Sequence, residues 1–548
     1  MHSRMLHILL VSIVMVAGFA FWAHPLSSAQ AATFKGVFTY HNDYFRTGQN
    51  LAETILTPRS IKHPKFGLLF TDAVDGQIYA QPLYAPNVAI PGKGTHNVVF
   101  IATQRNQVYA FDADQAGPPL WHRSYIDPAN GITPVPAADT HRDNITPWVG
   151  ITSTPVIDPA SGTLYVLTRL KIARGNPVVI SYRHHLHALD ITTGKERANS
   201  PATIAAIVPG SGAWSTNGKI AFDPLRENDR AALALSKGVV YLSFSSIGDF
   251  GPYHGWIFGY DAKTLAQVVV FNDTVNGFAG SIWQSGCGPA VDTNGDLIVV
   301  TANGTFDTST PRYDWGDSVL RLAPLNGTLS VKSFFTPYNQ ADLTYFDFDL
   351  GSGGNLLLPD QPGLHPHLMV VIGKDHNIYL VDRDNMGGFH PGGNHIVQEI
   401  QGILDEMLGT PAYWQGMVPN KGLQNMIYTI AISERPKMFV IANGKIQTPP
   451  VLAPPNTAFG DPGASPSISA NGTSDGILWA IDSQNQGGGG PAILYAFEAA
   501  NLGNELYNSG QSKSDNPGPA VKFAVPTVAN GKVYVGTSTQ LAVFGLRY

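Results

Sequence analysis

The sequence predicts an all-β protein built from many short strands. Of its 548 residues, 57 are Gly and 40 are Pro, and only 14% are charged, against about 25% in an average globular domain. This abundance of turn-forming residues disfavours a helical or coiled-coil protein. Hydrophobic residues make up 43% and aromatic residues 10%, which is enough apolar surface for a large core and argues against disorder.

One sequence pattern of strands and turns recurs along the chain. Each copy has a short apolar run, often led by Pro, then a Gly or Asn turn, a β-rich run ending in small polar residues, a polar loop and a further β run ending in Asp. Three clear copies begin at Pro155, Pro289 and Pro526. Weaker copies begin near Pro82, Leu233, Leu356, Pro411 and Pro466. Strands joined by turns and repeated in this way predict a β-propeller.

The eight starts predict a single ring of eight four-stranded antiparallel blades, with seven blades as the alternative. The copy from Pro526 has only three strands before the chain ends, whereas Phe66 to Phe70 offers a lone strand ahead of the first complete copy. We expect these two segments to form one blade, because that closes the ring without an exposed sheet edge. One closed ring also predicts one domain, residues 32–548.

The first 31 residues have the pattern of a secretory signal peptide. Arg4 precedes an apolar stretch from Ile8 to Ala23, and an Ala-x-Ala pattern ends at Ala31, as in cleaved export signals. The apolar stretch is shorter than the roughly 20 residues that span a bilayer. We therefore expect a secreted or periplasmic protein with no membrane span after cleavage; an uncleaved anchor is the alternative.

Charge and cysteine content exclude several classes of function. The formal net charge is −6 and no run of Lys and Arg is present, so nucleic acid is not expected as a partner. Cys287 is the only cysteine, which excludes an intramolecular disulfide, a covalently attached haem and a cysteine-based metal site. Any redox centre must therefore be a bound cofactor.

The strand order predicts which loops meet. In an up-and-down blade with strands A to D, the B–C loops and the D–A connections emerge on the same face. Polar or aromatic side chains that fall on such segments are Asp249, Trp283, Asn303, Asp347, Asp349 and Lys374. Carboxylate and amide oxygens suit a hard cation such as calcium, and a Trp can form the floor for a planar ligand. The alternative is that the Asp and Asn side chains cap their own turns and the Trp packs in the core.

The segment Gly248 to Thr264 resembles one in the quinoprotein alcohol dehydrogenases, β-propellers that bind pyrroloquinoline quinone (PQQ). Trp283 resembles the tryptophan beneath PQQ in that family, and Thr301-Ala-Asn303 resembles its metal-binding Thr-Gly-Asn motif. Phe346-Asp-Phe-Asp349 resembles its Trp-Asp-Tyr-Asp motif. These motifs lie in the family order, between about residues 245 and 383.

The resemblance implies a role for each matching residue. Asp249, Asn303, Asp347 and Asp349 would bind Ca²⁺ or a lanthanide ion, and Asp347 would also be the catalytic base. Ser246, Trp283 and Lys374 would contact PQQ, with Lys374 at the quinone oxygens and close to the reaction. The implied activity is metal-assisted oxidation of an alcohol or sugar, with the electrons leaving through a separate acceptor such as a cytochrome.

Three departures from the family leave another class of function open. The adjacent Cys-Cys disulfide over the quinone is absent, Asp249 stands where the family usually has Glu, and Tyr79 stands where an acid is usual. The alternative is a non-catalytic envelope propeller that binds a protein or glycan.

Two further hypotheses rank lower. A polysaccharide hydrolase or lyase ranks last, because alternation would point Asp347 and Asp349 to opposite sides of an extended segment. Alternation likewise places His185 and His187 on one side of a strand, where a polar strand face is favoured over a metal site.

Overall fold

A computed structural model describes residues 35–309 and 313–547, and shows an eight-bladed β-propeller. The sequence prediction of eight blades is therefore confirmed, and all eight predicted starts coincide with the first strand of a blade. The signal peptide predicted for residues 1–31 lies outside the described residues. Within the described ranges, no helix has the length and apolar character needed to cross a membrane.

The first four blades follow one another along the chain, and each has its strands in sequence order. The strands of blades 1 and 2 are Leu83–Ile90, Gly94–Thr103, Gln107–Asp112 and Trp121–Ser124, then Val156–Asp158, Thr163–Arg174, Val179–Asp190 and Ala202–Thr203. Those of blades 3 and 4 are Ala234–Ser236, Val239–Ser246, Trp256–Asp261 and Gln267–Asn272, then Ala290–Val291, Leu297–Val300, Val319–Leu325 and Thr328–Phe335.

Blades 5 to 7 repeat this order, and blade 8 combines both ends of the described chain. The strands of blades 5 and 6 are Leu356–Leu357, Leu368–Ile372, Ile378–Asp382 and Gln398–Ile400, then Ala412–Val418, Gly422–Thr429, Lys437–Ala442 and the two short outer strands Lys445–Ile446 and Val451–Leu452. Those of blades 7 and 8 are Ser467–Asn471, Ser474–Asp482, Ile493–Glu498 and Glu505–Asn508, then Thr527–Ala529, Lys532–Gly536, Gln540–Leu546 and Phe66–Ala73.

Shorter elements decorate the loops. The additional strands are Gln49–Asn50, Ile132–Pro136, Trp148–Val149, Ile207–Pro209, Lys219–Ala221, Glu227–Asn228, Phe306–Asp307 and Asp314–Trp315. The described residues contain one α-helix, Gln340–Phe346, and the 3₁₀ turns Pro128–Asn130, Ala137–Thr140, Gln284–Gly286, Leu350–Ser352, Gln486–Gly488, Ser509–Gln511 and Lys513–Asp515.

The ring is closed by pairing between the two ends of the chain, as the sequence predicted. Phe66–Ala73 runs antiparallel to Gln540–Leu546, from the pair Phe66 and Leu546 to the pair Ala73 and Gln540. Phe66 is buried with Trp479, Tyr507 and Phe544. This closure pairs both edges of Gln540–Leu546, which therefore does not end the sheet.

Tryptophans pack blades against their neighbours. The indole of Trp121 in blade 1 donates to the Ile191 carbonyl of blade 2 at 2.8 Å. A Cβ on Gly194 would lie 2.5 Å from the same indole, so this close approach requires glycine. Trp414, on the first strand of blade 6, contacts blade 7 at a different place and donates to the Gly472 carbonyl at 3.0 Å.

Residues 37–50 cross the centre of the ring, a feature that the sequence did not predict. Backbone groups between Val37 and Gly48 bond to the first strands of blades 1, 2, 4, 5, 6 and 7, and Asn50 donates its amide to the Val528 carbonyl of blade 8. One short segment can reach so many blades only if their first strands surround the axis. The buried guanidinium of Arg46 donates to the Pro289 and Tyr40 carbonyls. Residues 37–50 therefore occupy the central channel of the ring.

Candidate functional site

A cavity of about 340 Å³ opens on the face of the ring where the B–C loops and the D–A connections emerge. Its volume falls within the range of about 300–1,000 Å³ found for small-molecule pockets. The sequence-predicted side chains that line it are Ser246, Asp249, Trp283, Asp347, Asp349 and Lys374. The remaining predicted residue, Asn303, is bonded to two of them. The loop rule thus brings together residues from blades 3, 4 and 5.

Asn303, Asp347, Asp349 and Lys374 form one bonded group, here called the carboxylate cluster. The Lys374 Nζ lies 3.1 Å from an oxygen of Asp347 and 2.6 Å from an oxygen of Asp349. The Asn303 side chain donates to Asp347 at 2.7 Å, and its backbone N–H donates to Asp349 at 3.1 Å. The Asp347 side chain is 64% exposed, against 14% for Asp349. Asp347 is therefore the carboxylate that a ligand in the cavity can reach.

A helix end brings the two carboxylates to the same ammonium group. The helix Gln340–Phe346 ends at Asp347, whose backbone is left-handed with φ 62°. The expectation that Asp347 and Asp349 point to opposite sides of an extended segment is wrong, because this turn is not extended. Both side chains instead bind Lys374.

A buried aspartate beneath the cluster holds this turn in place. Asp317 accepts the backbone N–H of Leu350 at 3.1 Å and the hydroxyl of Thr344 at 2.9 Å. It also accepts the side-chain amide of Gln340 at 3.3 Å. Burial, and then the neighbouring charge of Asp349, raise the pKa of Asp317 well above its usual range. No motif marks this residue in the sequence, because its role depends on the folded helix above it.

Burial and charge oppose each other inside the cluster. Burial raises the pKa of Asp349, and the ammonium of Lys374 works against that rise. For Lys374 burial favours the neutral amine, but the carboxylates of Asp349 and Asp347 outweigh burial and raise its pKa. Lys374 therefore remains a cation at neutral pH and neutralises part of the negative charge beside it.

Asp249 lies on the cavity surface at the B–C loop of blade 3. Its backbone is left-handed, with φ 53°. One carboxylate oxygen accepts the Ser246 hydroxyl at 3.2 Å and the Tyr253 hydroxyl at 2.8 Å. Among the described residues Asp249 makes no ion pair and no hydrogen bond with the carboxylate cluster. Ser246 thus positions Asp249 in addition to lining the cavity.

The chemistry of the donor set fits a hard cation. Asp249, Asn303, Asp347 and Asp349 offer only oxygen donors, which calcium-like ions prefer. The Asn303 Oδ1 is buried and has no hydrogen-bond partner among the described residues, so this oxygen is available to bind a cation. In the described part of the chain, no three His, Cys, Asp or Glu side chains are grouped as for a metal ion. A cation here would therefore depend on the Asn303 amide as well as on carboxylates.

Aromatic and cationic side chains that sequence reasoning missed complete the cavity. Trp283 meets Phe523 edge to face, with ring centroids 5.7 Å apart. Arg230 and Lys522 line the cavity as well. All three missed residues lie on D–A connections, before the first strands of blades 3 and 8. The loop rule could have found them, but they belong to none of the matched motifs.

Three other residues singled out in the sequence lie away from the cavity lining. Tyr79 is buried, burial raises its pKa to about 12, and its ring lies 5.9 Å from the Arg230 guanidinium. His185 and His187 are neighbours with ring centroids 6.1 Å apart, and His187 binds Glu196 at 2.8 Å. Within residues 35–309 and 313–547, neither histidine belongs to a metal-type cluster.

Comparison with known proteins identifies the fold. No protein-family model matches the chain, and no curated protein matches it by sequence. A solved structure of the quinohemoprotein alcohol dehydrogenase ADHIIG from Pseudomonas putida HK5 matches with a TM-score of 0.55 and 14% identity, over 93% of this chain and 80% of that chain. A europium-containing methanol dehydrogenase matches with a TM-score of 0.55 and 13% identity, over 93% and 98%. The chain therefore has the propeller fold of these dehydrogenases.

Proposed function

We propose that this protein is a quinoprotein-type dehydrogenase that binds PQQ and a Ca²⁺ or lanthanide ion in the cavity and oxidises an alcohol or sugar. The carboxylate cluster is the observation that carries the proposal. It joins an exposed carboxylate, a buried carboxylate, an amide oxygen without a partner and a cation at one cavity wall. The similarity of the fold to two dehydrogenases of known structure supports the same reading.

The residues that would hold the cofactor and the cation come from neighbouring loops. Asp249, Asn303, Asp347 and Asp349 would bind the cation through oxygen. Trp283 would lie against the planar rings of PQQ, and Ser246 and Lys374 would bind its polar edge. When bound, PQQ would accept a hydride from the substrate, and the cation would act as a Lewis acid.

Asp347 is the base in this proposal, because it is the exposed carboxylate of the cluster. A base must reach the proton it removes within about 2.6–3.2 Å, and a substrate hydroxyl in the cavity can approach this side chain. Asn303 and Lys374 each hold one Asp347 oxygen, which orients the carboxylate. After transfer, the proton resides on Asp347, from where it can pass to solvent.

Export and a separate electron acceptor complete the proposal. The predicted signal peptide would carry the chain out of the cytoplasm, and a cytochrome or similar acceptor would remove the electrons. The chain's single cysteine excludes a covalently attached haem of the Cys-x-x-Cys-His type.

The first test is calorimetric titration of the EDTA-treated protein with PQQ, alone and with Ca²⁺ or La³⁺. We expect binding that depends on the cation and is lost in Asn303→Ala and Asp249→Ala. Asp360→Asn is the matched control, because Asp360 is an acid 77% exposed on a different loop. It should bind as the unchanged protein does.

The second test separates binding from catalysis. With an artificial electron acceptor and a panel of alcohols and sugars, Asp347→Asn should bind PQQ but lose about 10²- to 10⁴-fold in turnover, the usual contribution of a general base. Absence of PQQ binding with either cation would contradict the proposal and favour the non-catalytic scaffold.

A further inference from the structure

Arg230 is a buried cation in the cavity wall without a matching anion. Its side chain is 2% exposed. One terminal nitrogen of the guanidinium donates to the Thr152 carbonyl at 2.8 Å, whereas its Nε is buried without a hydrogen-bond partner among the described residues. No carboxylate of the described residues lies within ion-pair distance of it. Burying a charge is unfavourable unless the charge is paired and hydrogen-bonded, so this guanidinium retains donor capacity that the protein does not use.

Lys522 is a second unpaired cation in the same cavity. Among residues 35–309 and 313–547, its Nζ has no hydrogen bond and no ion pair. The Phe523 ring is close to both cations, with its centroid 5.7 Å from the Lys522 Nζ and 5.4 Å from the Arg230 guanidinium carbon. Burial lowers the pKa of Lys522, Arg230 lowers it further, and Asp461 and Asp143 act in the opposite direction. The two like charges therefore stand close enough to disfavour each other.

The buried acid next to Arg230 in the chain is a weak counter-ion for this pair. Asp229 is fully buried, but it makes no ion pair with Arg230. Burial raises the pKa of Asp229 to about 7, the charge of Arg169 is the main opposing influence, and Arg230 opposes the rise to a smaller extent. Asp229 is therefore only a partial counter-ion for Arg230 at neutral pH.

The position of the guanidinium depends on a glycine. A Cβ on Gly286 would lie 2.5 Å from an Arg230 terminal nitrogen, and Gly286 has φ 103°. Because Gly286 has no side chain, the Arg230 guanidinium can pack against the backbone of that residue. Trp283 lies on the same turn. As a result, the planar guanidinium of Arg230 lies in the wall of the cavity, which the ring of Trp283 also lines.

We propose that Arg230 and Lys522, here called the cationic pair, form an anion subsite that binds a carboxylate of the ligand in the cavity. This inference rests on the proposed function, because the rest of that ligand would occupy the cavity beside the carboxylate cluster. A guanidinium is a planar fork that matches a carboxylate with two hydrogen bonds. The cavity is lined by four acids, Asp249, Asp347, Asp349 and Asp461, and three cations, Arg230, Lys374 and Lys522. A singly charged carboxylate is therefore favoured over a doubly charged phosphate.

Two sources of such a carboxylate are compatible with the site. PQQ is a tricarboxylate, and a hydroxy-acid substrate such as gluconate has one carboxylate together with oxidisable hydroxyls. The chemistry at the cationic pair is the same for both, so the experiment needs one arm for each.

The first arm measures binding of PQQ and of its trimethyl ester, which keeps the rings and the quinone but not the negative charges. We expect PQQ to bind at least tenfold more tightly than the ester. Arg230→Met should weaken PQQ binding by about 10- to 100-fold, as expected for a hydrogen-bonded charge, and leave ester binding unchanged. Lys522→Met should act in the same direction with a smaller change.

The second arm compares gluconate with glucose, each with and without PQQ. If the substrate supplies the carboxylate, gluconate binds more tightly than glucose in the unchanged protein, and Arg230→Met removes the difference. Arg59→Met is the matched control in both arms, because Arg59 is an exposed arginine outside the cavity lining. Thermal unfolding of each variant shows that it is folded.

The outcomes separate this inference from the proposed function. Cation-dependent PQQ binding that Arg230→Met and Lys522→Met leave unchanged, with gluconate no tighter than glucose, overturns the anion subsite but not the dehydrogenase. Arg230-dependent binding of gluconate without PQQ binding supports the subsite and contradicts the cofactor. Absence of binding by PQQ and gluconate alike overturns the subsite.

Discussion

The carboxylate cluster and the cationic pair line the same cavity, but the charges of the cluster are paired and those of the pair are not. In the cluster, Lys374 lies between two carboxylates and an asparagine holds both of them. In the pair, Arg230 and Lys522 both lie near the Phe523 ring, and no acid among the described residues is bonded to either of them. Each charged group of the cluster has an opposite charge bonded to it within the chain, whereas the pair lacks its anion.

This difference predicts that the ion pairs of the carboxylate cluster stabilise the fold, whereas the cationic pair serves to bind a ligand. Removing one partner of a buried ion pair is strongly destabilising, because the other charge is left uncompensated. Removing a buried charge that has no ion-pair partner leaves no opposite charge uncompensated. Relative to each other, substitutions in the carboxylate cluster should therefore affect stability more, and substitutions in the cationic pair should affect ligand binding more.

Removing the ammonium of the cluster should have the largest effect on stability. Lys374→Met leaves Asp347 and Asp349 side by side, and we expect the free energy of unfolding at pH 7 to fall by about 3–5 kcal/mol. Urea unfolding measures the change. The loss should shrink at acidic pH, where the carboxylates become neutral. Lys374→Arg keeps the charge and is the matched control; equal loss in both variants would contradict the ion-pair explanation.

The buried acid behind the cationic pair should give the protein a pH-dependent stability. The pKa of Asp229 is about 7 in the folded protein, above its usual value near 3.9. A raised folded-state pKa contributes stability below about pH 4 that is lost as the pH rises through 7. Asp229→Asn should therefore reduce this decline by about 4 kcal/mol between pH 4 and pH 8.

Urea unfolding at several pH values measures the Asp229 effect. Asp114→Asn is the matched control, because Asp114 is an acid with a 43% exposed side chain outside the cavity lining. An unchanged pH slope in Asp229→Asn would show that Asp229 is ionised throughout and that Arg230 has a counter-ion.

The layer beneath the cluster should contribute a smaller amount. Thr344 donates its hydroxyl to Asp317, and Thr344→Val removes that donor with little change in shape. We expect a loss of about 1–2 kcal/mol, the penalty for leaving a buried acceptor short of a donor. Unfolding by urea measures it. Ser309→Ala, on an exposed turn of blade 4, is the control, and an equal loss there would contradict a specific role for Asp317.

The smallest effect on stability is expected at the cationic pair. Without ligand, Arg230→Met should change the free energy of unfolding by less than about 1 kcal/mol, since an apolar side chain of similar volume replaces an unpaired charge. A thermal unfolding curve of the ligand-free variant checks this. A loss as large as that of Lys374→Met would show that Arg230 is a structural residue and would remove the contrast between the two regions.

Much of the architecture was predictable from local pattern. Turn residues and short apolar runs mark the strands, and antiparallel order determines which loops share a face. For that reason Asp249, Trp283 and Lys374 could be placed at one end of the ring before the structure was known. The segment at residues 37–50 could not be predicted, because its bonds join residues that are far apart in the chain.

The sequence by itself determined the repeat, the number of blades, the ring closure and the loops that meet at the cavity, because these follow from the periodicity of neighbouring residues. Only the tertiary structure decided how charges are paired there. The left-handed turn at Asp347 directs both carboxylates to Lys374, and Gly286 admits Arg230 to the wall without an acid. Pairing and burial depend on distances between remote segments, and such distances are set only when the ring has closed.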